Sequence, residues 1–207
     1  MKRDAFREQY DIANDDIAIS IVGRLVPVKN HRMFIDAIRN VKSKTNRKVR
    51  GVIVGDGDLR DGLIEYAKSH GLTYSTPEKH EHGSDLIFTS WIKDADYVFA
   101  GSEISALTSL NEGTPVSIIE SQAANVPVVS TIVGGIKDVV VEGKTALLSP
   151  TQDTEAFSDN LLALVENDER RKQMSEDGWI FVRDKFHYTR LVNDMKRLYD
   201  ELLSKTK

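Results

Sequence analysis

The sequence predicts an α/β domain with a parallel sheet of about six strands and helices on both faces. Short, almost continuous apolar runs, as in strands buried on both sides, alternate with segments whose apolar residues recur every three or four positions. Strands and helices that alternate at this spacing imply right-handed crossovers. The 207 residues are 40% hydrophobic and 29% charged, without a Pro/Gly/Ser-rich linker. We therefore treat residues 1–207 as one domain.

The first two strand–helix units are the clearest. Ile17–Val22 is an apolar run that ends at Gly23, and residues 34–41 carry a helical apolar stripe. Val49–Val54 repeats the strand pattern, and a second helix follows it and ends at Gly71. Further strands are predicted at residues 86–89, 104–108, 126–131 and 145–148, with helices between them.

Two regions depart from this alternation. Residues 73–85 are polar and aperiodic, and we expect an exposed loop that is long for such a connection. After Pro150 the pattern predicts only helices, at residues 153–166, 169–185 and about 189–203. The last helix has a narrow apolar stripe, which either packs on its own domain or docks a partner domain. The stripe consists of Leu191, Met195, Leu198 and Leu202.

Charge and composition exclude several classes of protein. There are 28 Lys and Arg against 32 Asp and Glu, a net charge of −4, so nucleic acid is a poor candidate ligand. Without cysteine the chain has no disulfides, thiolate metal sites or cysteine nucleophiles. The first ten residues lack a signal-peptide core, and no apolar run approaches the roughly 20 residues that span a bilayer. We expect a cytoplasmic protein.

Ligands of an open parallel sheet bind beyond the carboxyl ends of its strands. After the first strand, Gly23 is followed by Arg24 and Lys29 in one loop. These two cations suit a diphosphate, because Arg offers a fork to phosphate oxygens and Lys a point charge. Alternatively, they are solvated surface charges. After the second strand, Gly55-Asp-Gly57 begins like a dinucleotide-binding fingerprint, but Arg60 replaces its third glycine, so we expect only a tight turn.

The segment after the fourth predicted strand, residues 104–108, points most directly to a ligand. Thr114 is a plausible N-cap and Pro115 a plausible first helical residue, and the free N–H groups of a helix start bind anions. Glu112 precedes this helix and Glu120 lies inside it. Carboxylates accept hydrogen bonds from paired hydroxyls, so a nucleotide sugar fits this arrangement. Alternatively, Glu112 only caps the helix and Glu120 lies on a solvated face.

Three other patterns are assigned structural roles. Gly134-Gly135, after the 126–131 strand, permits a close backbone approach or simply a turn. Asp94 and Asp96 match the D-x-D of metal-dependent sugar transferases, but we expect them to form the acidic first turn of a helix. His80 and His82 lack a third ligand, so no metal site is expected. We also expect His31 at a helix end on the surface.

Taken together and in this order, the motifs at Gly23–Asn30, 55–60, 112–120 and 133–135 resemble the group 1 (family 4) retaining glycosyltransferases. The resemblance is to their C-terminal, donor-binding domain and covers about residue 5 to the end. It implies a Rossmann-like domain with an all-helical C-terminal segment, which is half of a GT-B fold. In that fold two such domains face each other across a cleft, and the N-terminal, acceptor-binding domain is not in this sequence.

The resemblance also implies roles for single residues. Arg24 and Lys29 hold the donor diphosphate beside Gly23, Glu112 binds the sugar hydroxyls, and Glu120 binds the ribose; Arg24, Lys29 and Glu112 are the implied catalytic residues. The backbone of the helix start lies near the sugar and phosphate, and the base lies near the loop of residues 90–93. The residues concerned are Gly113, Thr114, Pro115 and Val116 at the helix start, and Trp91 and Ile92 in the loop.

The function implied is transfer of a sugar, with retention, from a nucleoside-diphosphate sugar, with UDP favoured. The enzyme is a glycosyltransferase of the hexosyltransferase class that needs no metal or other cofactor. Its partners are the donor and a carbohydrate or lipid-linked acceptor. The N-terminal domain binds the acceptor, and any peripheral membrane association would occur through that domain. We expect this domain to be inactive alone. Bacterial enzymes of this kind are associated with polysaccharide biosynthesis.

Two alternatives stay open. One is a non-catalytic nucleotide-sugar-binding module that works with a separate chain, and the other is an unrelated dinucleotide-dependent oxidoreductase.

The sequence also departs from the family pattern in two places, the long 73–85 loop and Asn125, which stands where a glycine is usual. Asn tolerates the left-handed conformation, so we expect the helix before Asn125 to end normally.

Overall fold

A computed structural model of the chain describes residues 1–205. Within these residues seven strands form one parallel sheet of order β3-β4-β2-β1-β5-β6-β7. The strands are β1 (Ile17–Val22), β2 (Val49–Val54), β3 (Tyr74–Ser75), β4 (Leu86–Ser90), β5 (Ile104–Leu107), β6 (Val128–Thr131) and β7 (Ala146–Ser149). The order reverses between β1 and β5, which is where such sheets open a ligand crevice.

Helices cover both faces of this sheet, as the sequence predicts. They are α1 (Lys2–Gln9), α2 (His31–Lys44), α3 (Arg60–Ser69), α4 (Ala95–Ala100), α5 (Val116–Ala123), α6 (Ile136–Val139), α7 (Thr154–Val165), α8 (Asp168–Phe186) and α9 (Tyr188–Lys205), with a 3₁₀ turn at Pro27–Lys29. One apolar cluster joins α2, α3 and α7 to the sheet. On the opposite face, one cluster involves α1 and α4 and another α5 and α6.

The segment 73–85 is more ordered than expected. Tyr74–Ser75 adds the seventh strand at the sheet edge, paired with Leu86 and Ile87. Contacts with other parts of the domain hold the remainder of the segment: Arg60 forms an ion pair with Glu78 at 2.7 Å, and the Gly83 N–H donates to the Asp11 carboxylate at 2.9 Å. A two-residue strand is too short to show a period, so the sequence pattern predicts a loop there.

Helix α1 is not predicted by the sequence pattern. Phe6 is fully buried, and beside it the Arg7 guanidinium is 2% exposed. The Arg7 guanidinium donates to the Glu103 carboxylate at 3.0 Å and to the Asp16 carbonyl at 2.8 Å. Because a charged residue takes a core position of α1, its apolar residues do not recur at helical spacing, and the sequence pattern does not predict this helix.

The C-terminal helices have the predicted arrangement, and α5 ends as expected. Asn125 adopts φ +58°, and the Val126 N–H donates to the Ser121 carbonyl at 2.9 Å. Helix α9, in contrast, contains no buried residue. Its side chains at Leu191, Met195 and Leu198 are 61%, 39% and 47% exposed. Within residues 1–205, these three side chains of the stripe therefore remain largely exposed. No helix among residues 1–205 is long and apolar enough to cross a membrane.

Candidate functional site

The loops after β1 and β5 are joined by hydrogen bonds at the carboxyl edge of the sheet. The Thr108 hydroxyl donates to the Lys29 carbonyl at 2.9 Å and to the Asn30 carbonyl at 3.1 Å, and the Leu110 N–H donates to the Val28 carbonyl at 2.8 Å. The two cations of the first loop and the carboxylate of the second therefore lie on one side of the domain.

Lys29 and Glu112 form a partly buried ion pair, with Nζ and Oε1 2.6 Å apart. The Ser109 hydroxyl donates to the same Oε1 at 2.6 Å. The two side chains are 24% and 10% exposed. Gly23 completes the group, because the Lys29 stem passes 3.5 Å from the position that a Cβ on Gly23 would take. The sequence analysis did not identify Ser109 as a site residue. The only signal for it in the sequence is its position just after β5.

Arg24 is exposed, and its guanidinium makes no hydrogen bond or ion pair with any of residues 1–205. Its loop rests on the glycine turn after β2: the Leu25 N–H donates to the Asp56 carbonyl at 2.9 Å. Gly55 has φ +145°, and a Cβ there would lie 2.0 Å from the Gly23 carbonyl oxygen. The expected role of Gly55 and Gly57 as a tight turn is confirmed, and the turn holds the Arg24 loop.

Gly134 and Gly135 support the Glu112 loop, as Gly55 and Gly57 support the Arg24 loop. Gly134 has φ +47°, and a Cβ there would lie 1.7 Å from the Glu112 carbonyl oxygen. The Gly135 N–H donates to the Gly113 carbonyl at 3.1 Å. Of the two interpretations of this glycine pair, the close backbone approach is confirmed.

Helix α5 begins beside this loop, one residue later than predicted. Pro115 is the N-cap and Val116 the first helical residue, and Thr114 makes no capping hydrogen bond. Gly113, Thr114 and Val116 are exposed, and Pro115 is buried. The first N–H groups of a helix lack an intrahelical acceptor, so this exposed start presents donors and a partial positive charge to an anion.

Glu120 lies farther along α5, in a groove of about 430 Å³ between α4 and α5. Lys93, Asp94 and Asp96 also line this groove. The Glu120 side chain is exposed, and partial desolvation by the groove raises the pKa of its carboxyl. As expected, Asp96 lies in the first turn of α4, and Asp94 is at the N-cap position just before it, without a side-chain capping hydrogen bond. A carboxylate in this groove can accept hydrogen bonds from a diol.

Trp91 and Ile92 lie apart from this groove. They line a second pocket, of about 550 Å³, with Tyr10 and Tyr97. Helix α4 packs against α1 on one side and α5 on the other. The pocket with Trp91 is on the α1 side and the groove with Glu120 on the α5 side. The structure therefore brings Gly23, Lys29, Glu112 and the α5 start together, but places the Trp91 and Ile92 side chains elsewhere.

The expectation that His31 lies on the surface is wrong. Its side chain is 1% exposed at the start of α2, and both ring nitrogens lack a partner among the described residues. Burial, and then the charge of Lys29, lower its pKa to about 4. The helical period places position 31 above the apolar residues at 34, 35 and 38, which draws the imidazole into the core.

A carboxyl-edge crevice on a parallel sheet with helices on both faces is typical of nucleotide-binding α/β domains. The chain belongs to the glycosyl transferases group 1, whose family model matches residues 2–179.

Relatives of the chain support the same assignment. A D-inositol 3-phosphate glycosyltransferase of Corynebacterium efficiens is 27% identical over 192 residues, covering 88% of this chain and 42% of that protein. The UDP-Gal:alpha-D-GlcNAc-diphosphoundecaprenol alpha-1,3-galactosyltransferase of Escherichia coli is 25% identical over 203 residues, covering 98% of this chain and 50% of that protein. The chain thus spans about half the length of the curated relatives it matches.

Solved structures establish the fold. Anabaena HepE in complex with UDP and glucose superimposes with a TM-score of 0.82 at 18% identity, over 96% of this chain and 52% of that one. The C-terminal domain of a group 1 glycosyl transferase family protein from Francisella tularensis superimposes with a TM-score of 0.73 at 20% identity, over 90% of this chain and 93% of that one. The chain has the fold of one half of a GT-B glycosyltransferase.

Proposed function

We propose that this chain is the donor-binding half of a retaining glycosyltransferase that uses a nucleoside-diphosphate sugar. The observation that supports this most is the Lys29–Glu112 pair beside the exposed start of α5. A cation, a helix start and the free Arg24 can together bind a diphosphate. A carboxylate on either side, Glu112 and Glu120, suits the hydroxyls of a sugar and of a ribose.

In the reaction we propose, the C1–O bond of the donor sugar breaks and an acceptor oxygen bonds to C1 on the same face. Negative charge grows on the leaving diphosphate, where Arg24, Lys29 and the α5 start stabilise it. The acceptor proton passes to an oxygen of that diphosphate. Glu112 orients the sugar and forms no covalent bond to it. Cationic side chains at the diphosphate replace the divalent metal of other transferases, so we propose a metal-independent reaction.

We favour a UDP-sugar, because Anabaena HepE, which shares the fold, has been crystallised with UDP and glucose. The base would lie beyond Glu120, over the backbone of the 90–93 loop and beside Lys93. We propose that this loop contacts the base through its backbone, because the Trp91 and Ile92 side chains line the separate pocket.

The acceptor would be bound by a second, N-terminal half, and the exposed stripe of α9 is one surface on which that half can dock. Leu191, Met195 and Leu198 leave an apolar face uncovered, and covering such faces is favourable by about 25 cal/mol per Å². The alternative function is a binding module that supplies nucleotide-sugar affinity to a separate catalytic chain. Transfer activity that needs both halves would favour the first function, whereas activity of the partner chain alone that this chain only increases would favour the second.

Isothermal titration calorimetry with UDP tests the site. Lys29→Ala should weaken UDP binding at least about tenfold, since a hydrogen bond to a charged group contributes roughly 1.5–3 kcal/mol. Lys172→Ala, an exposed lysine on α8, is the matched control and should leave the affinity unchanged. Equal affinities of both variants and the unaltered chain would refute the site.

A further inference from the structure

The pocket that contains Trp91 is a second, separate cavity. Its volume is about 550 Å³, within the roughly 300–1,000 Å³ of small-molecule sites. Strand β4 forms its floor, and Tyr10 at the end of α1 and Tyr97 on α4 form two walls. Thr76 and His80, from the long 73–85 segment, form a third wall. Trp91 is 67% exposed at its rim, so core packing does not explain this large side chain.

The chemistry of the lining favours an uncharged ligand. Among residues 1–205, no Lys, Arg, Asp or Glu lines this pocket, so a phosphate or carboxylate group would find no charged partner there. Tyr10, Trp91 and Tyr97 instead offer aromatic surface. Such rings pack against a flat, weakly polar face while their polar ends remain available for hydrogen bonds.

Several polar groups of the lining have unused hydrogen-bonding capacity. The Tyr97 hydroxyl donates to Gln9 at 2.8 Å, and the Gln9 amide donates to the Tyr10 hydroxyl at 3.3 Å, which leaves the Tyr10 hydroxyl hydrogen uncommitted. The Thr76 hydroxyl accepts from the Lys79 N–H at 3.0 Å and donates to the Glu78 carboxylate, so only an oxygen lone pair remains to accept from a ligand. The His80 imidazole makes no hydrogen bond with any of residues 1–205. A ligand with several hydroxyls satisfies donors and acceptors of this kind.

The wall from the 73–85 segment is held in place by contacts within the protein. Glu78 is paired with Arg60 at 2.7 Å, and Lys79 lies 4.3 Å from the centre of the Tyr74 ring. A preformed wall lowers the entropic cost of binding a small ligand.

We propose that this pocket binds an uncharged sugar ring, stacked on Trp91 and hydrogen-bonded by Tyr10, Thr76 and His80. The site is distinct from the Glu120 groove, because α4 lies between them. The choice of a sugar over another flat, hydroxylated ligand rests on the proposed function, since a glycosyltransferase works beside glycan chains. The site would hold a residue of the acceptor or product chain near the domain.

Intrinsic fluorescence tests this directly, because the chain has two tryptophans. In Trp179→Phe the only indole is Trp91, and titration with maltose, cellobiose and N,N′-diacetylchitobiose should give a saturable change for at least one of them. We expect a Kd near 1 mM, on the order of −4 kcal/mol. In the matched variant Trp91→Phe, which keeps Trp179 on α8, the emission should not respond.

Saturation-transfer NMR of the same saccharide should show at least a tenfold loss of binding in Trp91→Ala and no loss in Lys29→Ala. UDP affinity should show the opposite pattern. Absence of a saturable Trp91 response to all three saccharides would overturn the proposal, as would weaker UDP binding in Trp91→Ala, which would assign the pocket to the nucleobase. If saccharide binding persists while UDP does not bind at all, only the proposed donor function fails.

Discussion

The ion pair between Lys29 and Glu112 makes a prediction that a simple diphosphate site would not. The Glu112 carboxylate lies 2.6 Å from the Lys29 ammonium group, so a diphosphate must compete with this carboxylate for the ammonium group. Glu112→Gln removes the competing charge, and the amide can still accept from Ser109. We therefore expect this variant to bind UDP more tightly than the unaltered chain and to lose use of the sugar donor.

The magnitude follows from the geometry of the pair. A hydrogen bond between charged groups contributes roughly 1.5–3 kcal/mol. Because Lys29 is 24% exposed, solvent screening reduces this to about 1 kcal/mol, or about a fivefold tighter Kd for UDP. Calorimetry of Glu112→Gln against Glu142→Gln, an exposed carboxylate outside the crevice with the same charge change, measures it. Weaker binding of UDP to Glu112→Gln, or equal binding by both variants, would refute this reasoning.

Three further predictions concern the framework of the site. Arg7→Ala should lower the free energy of unfolding by about 3–5 kcal/mol, because its buried hydrogen-bond partners lose their donor. Arg3 pairs with the same Glu103 but is 43% exposed, so Arg3→Ala should lower it by under about 1 kcal/mol; denaturant titrations measure both. Gly134→Ala should destabilise by about 2–4 kcal/mol through its positive φ and its clash with the Glu112 carbonyl oxygen, whereas Gly62→Ala, with open space in α3, should stabilise by about 0.5–1 kcal/mol; similar thermal midpoints for these two variants would contradict this. The pKa of His31 is lowered from 6.5 to about 4, so the stability that the neutral imidazole contributes is present above pH 6.5 and is lost as the pH falls toward 4. Urea titrations at pH 7.5 and 5.0 should show about 2 kcal/mol less acid destabilisation in His31→Leu than in the unaltered chain. Equal losses of unfolding free energy in the two proteins would exclude this role.

The fold could be predicted from the sequence because its strands are buried on both faces and its helices carry clear apolar stripes. Ile17–Val22 and Val49–Val54 are recognisable as central strands for this reason. The exceptions have local causes. Strand β3 has only two residues, and α1 buries an arginine, so neither shows the period of its element.

The site could be predicted only in part, because its contacts join distant residues. Spacing alone identified the helix start near Pro115 and the cations after β1, but Lys29 and Glu112 are 83 positions apart and their pairing is a product of the fold. Local patterns also do not show on which side of α4 a side chain falls. The sequence analysis therefore places Trp91 and Glu120 in one donor site. In the structure the two side chains line separate pockets on opposite sides of α4.

The direct test of the donor crevice is a ¹⁵N-resolved NMR titration of the chain with UDP. We expect saturable amide shifts at Gly23 and Arg24, at Gly113 and Val116 around the start of α5, and at Glu120, all with one Kd. Shifts confined to other surfaces, or different dissociation constants for the β1 loop and the α5 start, would contradict a single crevice that holds a nucleoside diphosphate.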